Sequence, residues 1–189
     1  TIPVKLCNEK ATGVAPGYPM QGSAQNCCEH ITRATFEKLG SGEMEIRITV
    51  ALPGLKKVDD TTVYWDHNLI SEKGKYSEHV RVWIDWNGDK KWSSSECVLT
   101  DSQKDYKALS NCKTLNFKKR VSIPANAVPE TYARVILSWG DDISDPTAKS
   151  WMWGDVTDGE VYTSNEVGKP EIVEIAYRSS YSAANIGNV

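Results

Sequence analysis

Glu45-Ile46-Arg47-Ile48-Thr49-Val50 is the stretch that decides the fold class. Polar and apolar residues alternate one for one, and successive side chains of a strand point to opposite faces. Ile46, Ile48 and Val50 therefore share one side, and Glu45, Arg47 and Thr49 the other. Such a strand belongs to a sheet packed on one face and wet on the other, as antiparallel sheets commonly are. Thr61 to Trp65, Val80 to Asp85, Leu115 to Ile123, Tyr132 to Trp139, Val161 to Thr163 and Ile172 to Tyr177 read similarly, with Gly, Pro, Asn and Asp clusters between them. Seven or eight short strands without long helical patterns predict an all-β chain. The expected architecture is an antiparallel β-sandwich, Ig-like or jelly-roll-like, and not a βαβ fold. Asp101 to Ser110 is the one helix candidate.

Outward from the strands the composition changes. Residues 1–40 hold Pro16, Pro19 and several Gly with scattered apolar residues, which predicts an irregular N-terminal arm packed on the domain. The sandwich is expected over 41–178, and 179–189 is a small, polar tail or linker. Five cysteines, Cys7, Cys27, Cys28, Cys97 and Cys112, lack paired CxxC spacing, and His30, His67 and His79 are far apart. They read as a disulfide framework in an oxidising, extracellular setting. Cys97 with Cys112 is the expected bridge, closing a loop of about fifteen residues and contributing roughly 3 kcal/mol. Cys7 with Cys27 or Cys28 is its companion, pinning the arm. The start at Thr1-Ile2-Pro3 reads as a processed terminus or as a boundary within a longer, multidomain chain.

At 189 residues with a net charge of −3, the chain has no sign of a basic face, so no nucleic-acid partner is expected. No apolar run approaches the ~20 residues of a spanning helix, so no membrane span is expected. GxSxG and HExxH are absent. The catalytic reading that remains pairs acids such as Asp85 and Glu160 across a cleft, as in a glycosidase. Cation chelation explains the same acids without a cleft.

That chelation rests on Asp85-Trp86-Asn87-Gly88-Asp89-Lys90-Lys91-Trp92-Ser93-Ser94-Ser95-Glu96. Side-chain oxygens recur at relative positions one, three, five and twelve, the spacing by which one loop wraps Ca²⁺ and closes it with a carboxylate. Asp85, Asn87, Asp89 and Glu96 are the candidate ligands, with the backbone carbonyl of Lys91 at position seven. Glycine stands at position four instead of six, and the flanks read as strands, so the loop is no EF-hand. The plainer reading is a β-turn at Asn87-Gly88. A second acidic group, Asp141, Asp142, Asp145, Asp155, Asp158 and Glu160, follows the strand ending at Trp139.

Val80-Arg81-Val82-Trp83-Ile84-Asp85-Trp86-Asn87-Gly88-Asp89, then Glu96, Ser122-Ile123-Pro124-Ala125, Tyr132-Ala133-Arg134-Val135 and Gly159-Glu160-Val161-Tyr162 together resemble the GEVED domain of secreted bacterial proteins. The likeness runs over roughly residues 28–167. It is tight at Trp83-Ile84-Asp85-Trp86-Asn87 and looser at the end, where Tyr162-Thr163 replace the family's closing acidic residues. The resemblance implies a β-sandwich accessory module on exported proteins, with a cation loop and no established catalysis.

Seven Trp supply a binding reading. Trp139, Trp151 and Trp153 flank the Gly- and Asp-rich stretch from Ser138 to Asp155. Aromatic faces stack on sugar rings while nearby acids bond hydroxyls. Trp151, Trp153 and Asp155 are thus the candidate ligand-binding residues, and Trp83 or Trp86, with Trp139, read as core. The expectation is a secreted, calcium-binding module for ligand binding or adhesion, directed at glycans or other cell-surface components. The alternative is a small secreted hydrolase or toxin subunit using the acidic loops.

Overall fold

A computed structural model describes residues 15–19, 30–51, 56–57, 63–64, 77–104, 114–147, 154–164 and 168–177. The strands are β1 (His30–Leu39), β2 (Glu43–Ala51), β3 (Lys56–Lys57), β4 (Val63–Tyr64), β5 (Glu78–Ile84), β6 (Cys97–Gln103), β7 (Thr114–Ser122), β8 (Glu130–Trp139), β9 (Gly154–Tyr162) and β10 (Ile172–Tyr177). One four-stranded sheet has the order β10-β1-β2-β7, a second has β6-β5-β8-β9, and β3 pairs with β4 alone. Every pairing is antiparallel. The chain is all-β as expected, and among the described residues there is no α-helix.

Period-two patterning puts the core between the two sheets. Ile46, Ile48 and Val50 of β2 are fully buried, as their alternation predicts. They share one apolar cluster with Phe36 of β1 and Phe117 of β7 and, from the second sheet, Val82 of β5, Val135 of β8 and Val161 of β9. Two inward groups of β9 set its distance from the first sheet. Asp155 is fully buried, its Oδ2 accepting the Ile31 N–H of β1 at 2.9 Å. A Cβ on Gly159 would lie 2.3 Å from Cβ of Ile175 on β10, so only glycine permits that approach.

Three expectations are corrected. The irregular arm does not extend to residue 40, because His30–Leu39 is a ten-residue strand. Its register shifts at Ala34/Thr35 against β10 and at Ile31/Arg33 against β2, and each shift breaks the alternation that would have revealed it. The helix candidate fails at its start, since Asp101 to Gln103 complete β6 against Glu78 to Val80; the remainder lies outside the described residues. Cys97 carries a free thiol, so it is not bridged to Cys112. Cys7, Cys27, Cys28 and Cys112 lie outside the described residues. Where the arm is described, at 15–19, hydrogen bonds and ring contacts hold it against the second sheet.

Candidate functional site

β8 is buried on both faces. Ala133, Val135 and Leu137 point into the shared core, while Tyr132, Arg134 and Ile136 point outward. The outward set would be wet in an ordinary two-layer protein. Here Trp83 of β5, Ile136 of β8, Val156 of β9 and Trp92 from the loop after β5 form a second apolar cluster, closed by Ala15 and Tyr18.

Arg134 and Asp158 lie at its centre, their side chains 0% and 1% exposed. Antiparallel pairing sets the two residues opposite each other on β8 and β9. Nε and Nη2 of Arg134 donate to the two oxygens of Asp158, each at 2.8 Å, a bidentate fork. Burying two charges is costly unless the remaining hydrogen-bonding capacity is also met. The surrounding chain meets it. Arg134 Nη1 donates to the Pro146 carbonyl (2.9 Å) and Nη2 to the Pro19 carbonyl (3.1 Å), while Asp158 Oδ2 accepts the Ala15 N–H (2.8 Å). The guanidinium also stands 5.0 Å from the ring centre of Trp92, within cation–π range.

Residues 15–19 reach this face as a tight turn. Tyr18 N–H donates to the Ala15 carbonyl at 3.1 Å, with Pro16 second and Gly17 third at φ 80°. That is a type II turn, which favours Pro at its second position and needs glycine, or a residue tolerant of positive φ, at its third. The turn projects the Tyr18 ring onto Trp92, with centroids 4.6 Å apart and planes 28° apart, and toward Tyr132 at 5.4 Å. The Tyr18 hydroxyl donates to Asp85 Oδ2 at 2.5 Å. Burial, then the Asp85 hydrogen bond, raises the phenol well above its ordinary value, so it stays protonated.

Asp85 directly follows β5, fully buried, and organises the loop that it opens. Its Oδ1 accepts the N–H groups of Gly88 (2.9 Å) and Asp89 (3.2 Å), and Oδ2 accepts that of Lys90 (3.0 Å). Asn87 Oδ1 accepts from Asp89 N–H at 3.0 Å, and Asp89 Oδ1 from Lys91 N–H at 2.9 Å. Glu96 Oε2 accepts from the N–H and hydroxyl of Ser93, closing a capping box. Lys90, at relative position six, takes φ 62° and so supplies the sharp turn that glycine gives at that point of a calcium loop.

The backbone thus fits a cation loop, but the side chains as arranged do not form a cage. Asp85 has both oxygens engaged, and Glu96 faces Ser93. Among the described residues no three His, Cys, Asp or Glu side chains are gathered as metal ligands. In this arrangement the acids hold the loop's own amides.

The other acids are dispersed. Asp142 takes a bidentate pair with Arg81, both contacts 2.7 Å, and that guanidinium holds its carboxyl below the usual range. Asp145 accepts from Thr147. Asp155, expected beside the Trp pair as a ligand group, faces inward and bonds backbone. Glu160 is exposed, whereas Asp85 is buried. Trp151 and Trp153 lie outside the described residues. Of Trp83 and Trp86, one expected in the core, both are buried, Trp83 on the outer cluster and Trp86 on the inner one.

Sequence reasoning missed Tyr18, Trp92, Arg134 and Asp158 as one site. Arg134 and Asp158 are 24 residues apart, and only the β8–β9 register joins them. The Pro16-Gly17 pair did signal a turn, but nothing local says where it docks.

Residues 79–162 match the GEVED domain family, a narrower span than the 28–167 of the expected likeness. The match takes in all of the second sheet but Glu78, the first residue of β5, together with β7. No curated protein matches the chain.

Proposed function

With residues 79–162 carrying a GEVED domain as premise, we propose that the chain is a non-catalytic binding module of an exported protein, built as a β-sandwich, whose working surface is the outer face of the second sheet. One observation carries this reading. That face holds a buried arginine–aspartate pair and an aromatic wall, and the groups arranged there grip a turn of the chain, residues 15–19, by one N–H, one carbonyl and its one aromatic side chain. A few fixed polar groups in an apolar, aromatic setting are the usual make-up of a binding site. Glycans and other cell-surface components remain the ligand class expected from sequence, on the strength of Trp151 and Trp153. Screening the chain against glycan and peptide arrays beside hydrolysis assays on the same compounds tests the proposal. Retention without turnover supports a binding module, and turnover contradicts it.

Calcium binding at Asp85, Asn87, Asp89, Glu96 and the Lys91 carbonyl is a second reading, favoured by Lys90 standing at φ 62° in position six. It requires Glu96 to leave Ser93 and Asp85 to share an oxygen with the ion. A ligand that binds only the folded chain stabilises it by mass action, so 10 mM calcium at a dissociation constant of ~1 mM adds about 1.4 kcal/mol. Superimposable melting curves in calcium and in chelator rule it out.

A further inference from the structure

We propose that the outer face of the second sheet is a recognition site for Ala-Pro-Gly-Tyr-Pro turns, and that residues 15–19 are its ligand supplied in cis. The inference deepens the binding-module reading and rests on it.

The contacts divide into two kinds. Arg134 and Asp158 read the main chain: Asp158 Oδ2 accepts one N–H, from Ala15, and Arg134 Nη2 donates to one carbonyl, that of Pro19. A donor and an acceptor at the two ends of a five-residue segment fix its direction and its length. Trp92, Tyr132 and Asp85 read the side chain, because the two rings contact an aromatic at the fourth position and Asp85 Oδ2 takes its hydroxyl. Phenylalanine would keep the stacking and lose the hydrogen bond.

Between these contacts the ligand must turn back on itself. Pro16 pre-sets the first half of the turn and Gly17, at φ 80°, permits the second. Gly17 is also closely approached, since a Cβ there would lie 3.2 Å from Cδ of Lys90, the loop residue whose N–H bonds Asp85. Shape and chemistry thus both favour Pro-Gly-Tyr. A ligand already bent in solution loses little freedom on docking.

The receptor half belongs to strands and loops other than the arm. Arg134 and Asp158 bond each other, and the amides of Gly88, Asp89 and Lys90 bond Asp85, without any contribution from residues 15–19. The same turn presented by another chain meets the same groups. A tethered segment competes at an effective concentration in the millimolar range, so the cis arm masks the site from weak external ligands.

The test uses the full chain carrying Tyr18→Ala, with its fold checked by circular dichroism, and an acetylated, fluorescein-labelled peptide of residues 14–20, Val-Ala-Pro-Gly-Tyr-Pro-Met. Anisotropy should show this peptide binding the variant at least tenfold more tightly than the wild-type chain. Peptides with Ala in place of Tyr, or Val in place of Gly, should bind at least tenfold more weakly. Absence of binding to the folded variant, or equal binding of all three peptides, overturns the proposal. If Tyr18→Ala does not fold, Tyr18→Phe replaces it, with the gain in peptide affinity over wild type reduced to about fivefold because the stacking persists, and with the same tenfold differences among the three peptides. Peptide failure alongside retention of an array ligand sinks this inference and leaves the binding module standing, whereas turnover in the hydrolysis assay sinks the module whatever the peptide does.

Discussion

The two sheets share one interior but differ on their outer faces. On the first sheet the outward positions of β1 and β2 include Arg33, Glu45, Arg47 and Thr49. The ion pairs there open to solvent on the arginine side, with Arg33, Arg47 and Arg120 each more than half exposed, although the Glu45 carboxyl that two of them hold is only 4% exposed. Arg120 and then Arg47 hold the Glu45 carboxyl below the usual carboxylate range, yet both guanidiniums stay in water. On the second sheet an ion pair of the same chemical type, Arg134 with Asp158, is buried beneath Trp92 and residues 15–19. The contrast shows where this pair of antiparallel sheets departs from a simple two-layer design. One outer face carries arginines that stay in water, and the other is covered by Trp92 and residues 15–19.

The largest expected effect comes from breaking that buried pair. Arg134→Ala leaves Asp158 charged, buried and without its fork, which costs ~3–5 kcal/mol in urea unfolding. A loss below about 1 kcal/mol would put the pair on the same footing as the pairs of the first sheet.

Gly159→Ala sharpens the comparison from the inside, because its Cβ would run into Ile175 between the layers. Overpacking there is expected to cost about 1–3 kcal/mol by the same measurement. An unchanged midpoint would mean that β9 and β10 separate freely.

Tyr18→Phe keeps the ring and removes the hydroxyl, so the loss should be about 1 kcal/mol at neutral pH. The pH dependence carries more information. The folded-state value is raised above the ordinary 10.0, so the protonated phenol's contribution is fully present below pH 10 and fades as pH rises toward the folded value. Wild type should therefore lose stability more steeply above pH 10 than Tyr18→Phe does. Parallel alkaline profiles would place Tyr18 in water.

Arg33→Ala, on the first sheet, is the smallest. Its 3.3 Å contact with Glu174 joins two solvated side chains, and less than 1 kcal/mol should be lost. A larger effect would erase the difference between the faces.

The sequence showed most of the first sheet and little of the second sheet's outer face. β2 was legible because Ile46, Ile48 and Val50 alternate without interruption, and β7, β8 and β10 followed from similar runs. β1 was hidden by two register shifts. β9 was read only from Val161 onward, because Gly154, Asp155, Asp158 and Gly159 look like a loop until each is seen bonded or packed. β6 was masked by a run of polar residues, Thr100 to Gln103, on a strand that forms one edge of its sheet. The Asp85 loop was legible as a loop from its oxygen spacing. Its contact with Tyr18 was not, since 67 residues separate them and no periodicity links a Pro-Gly turn to a strand end.

Mapping backbone amide shifts on the folded Tyr18→Ala chain during titration with the peptide of residues 14–20 tests the working-surface claim most directly. Shifts confined to residues 85–92 of the loop, 132–136 of β8 and 156–158 of β9 are the predicted result. Shifts clustered around Arg33, Glu45, Arg47 and Arg120, or no shifts at millimolar peptide, would contradict it.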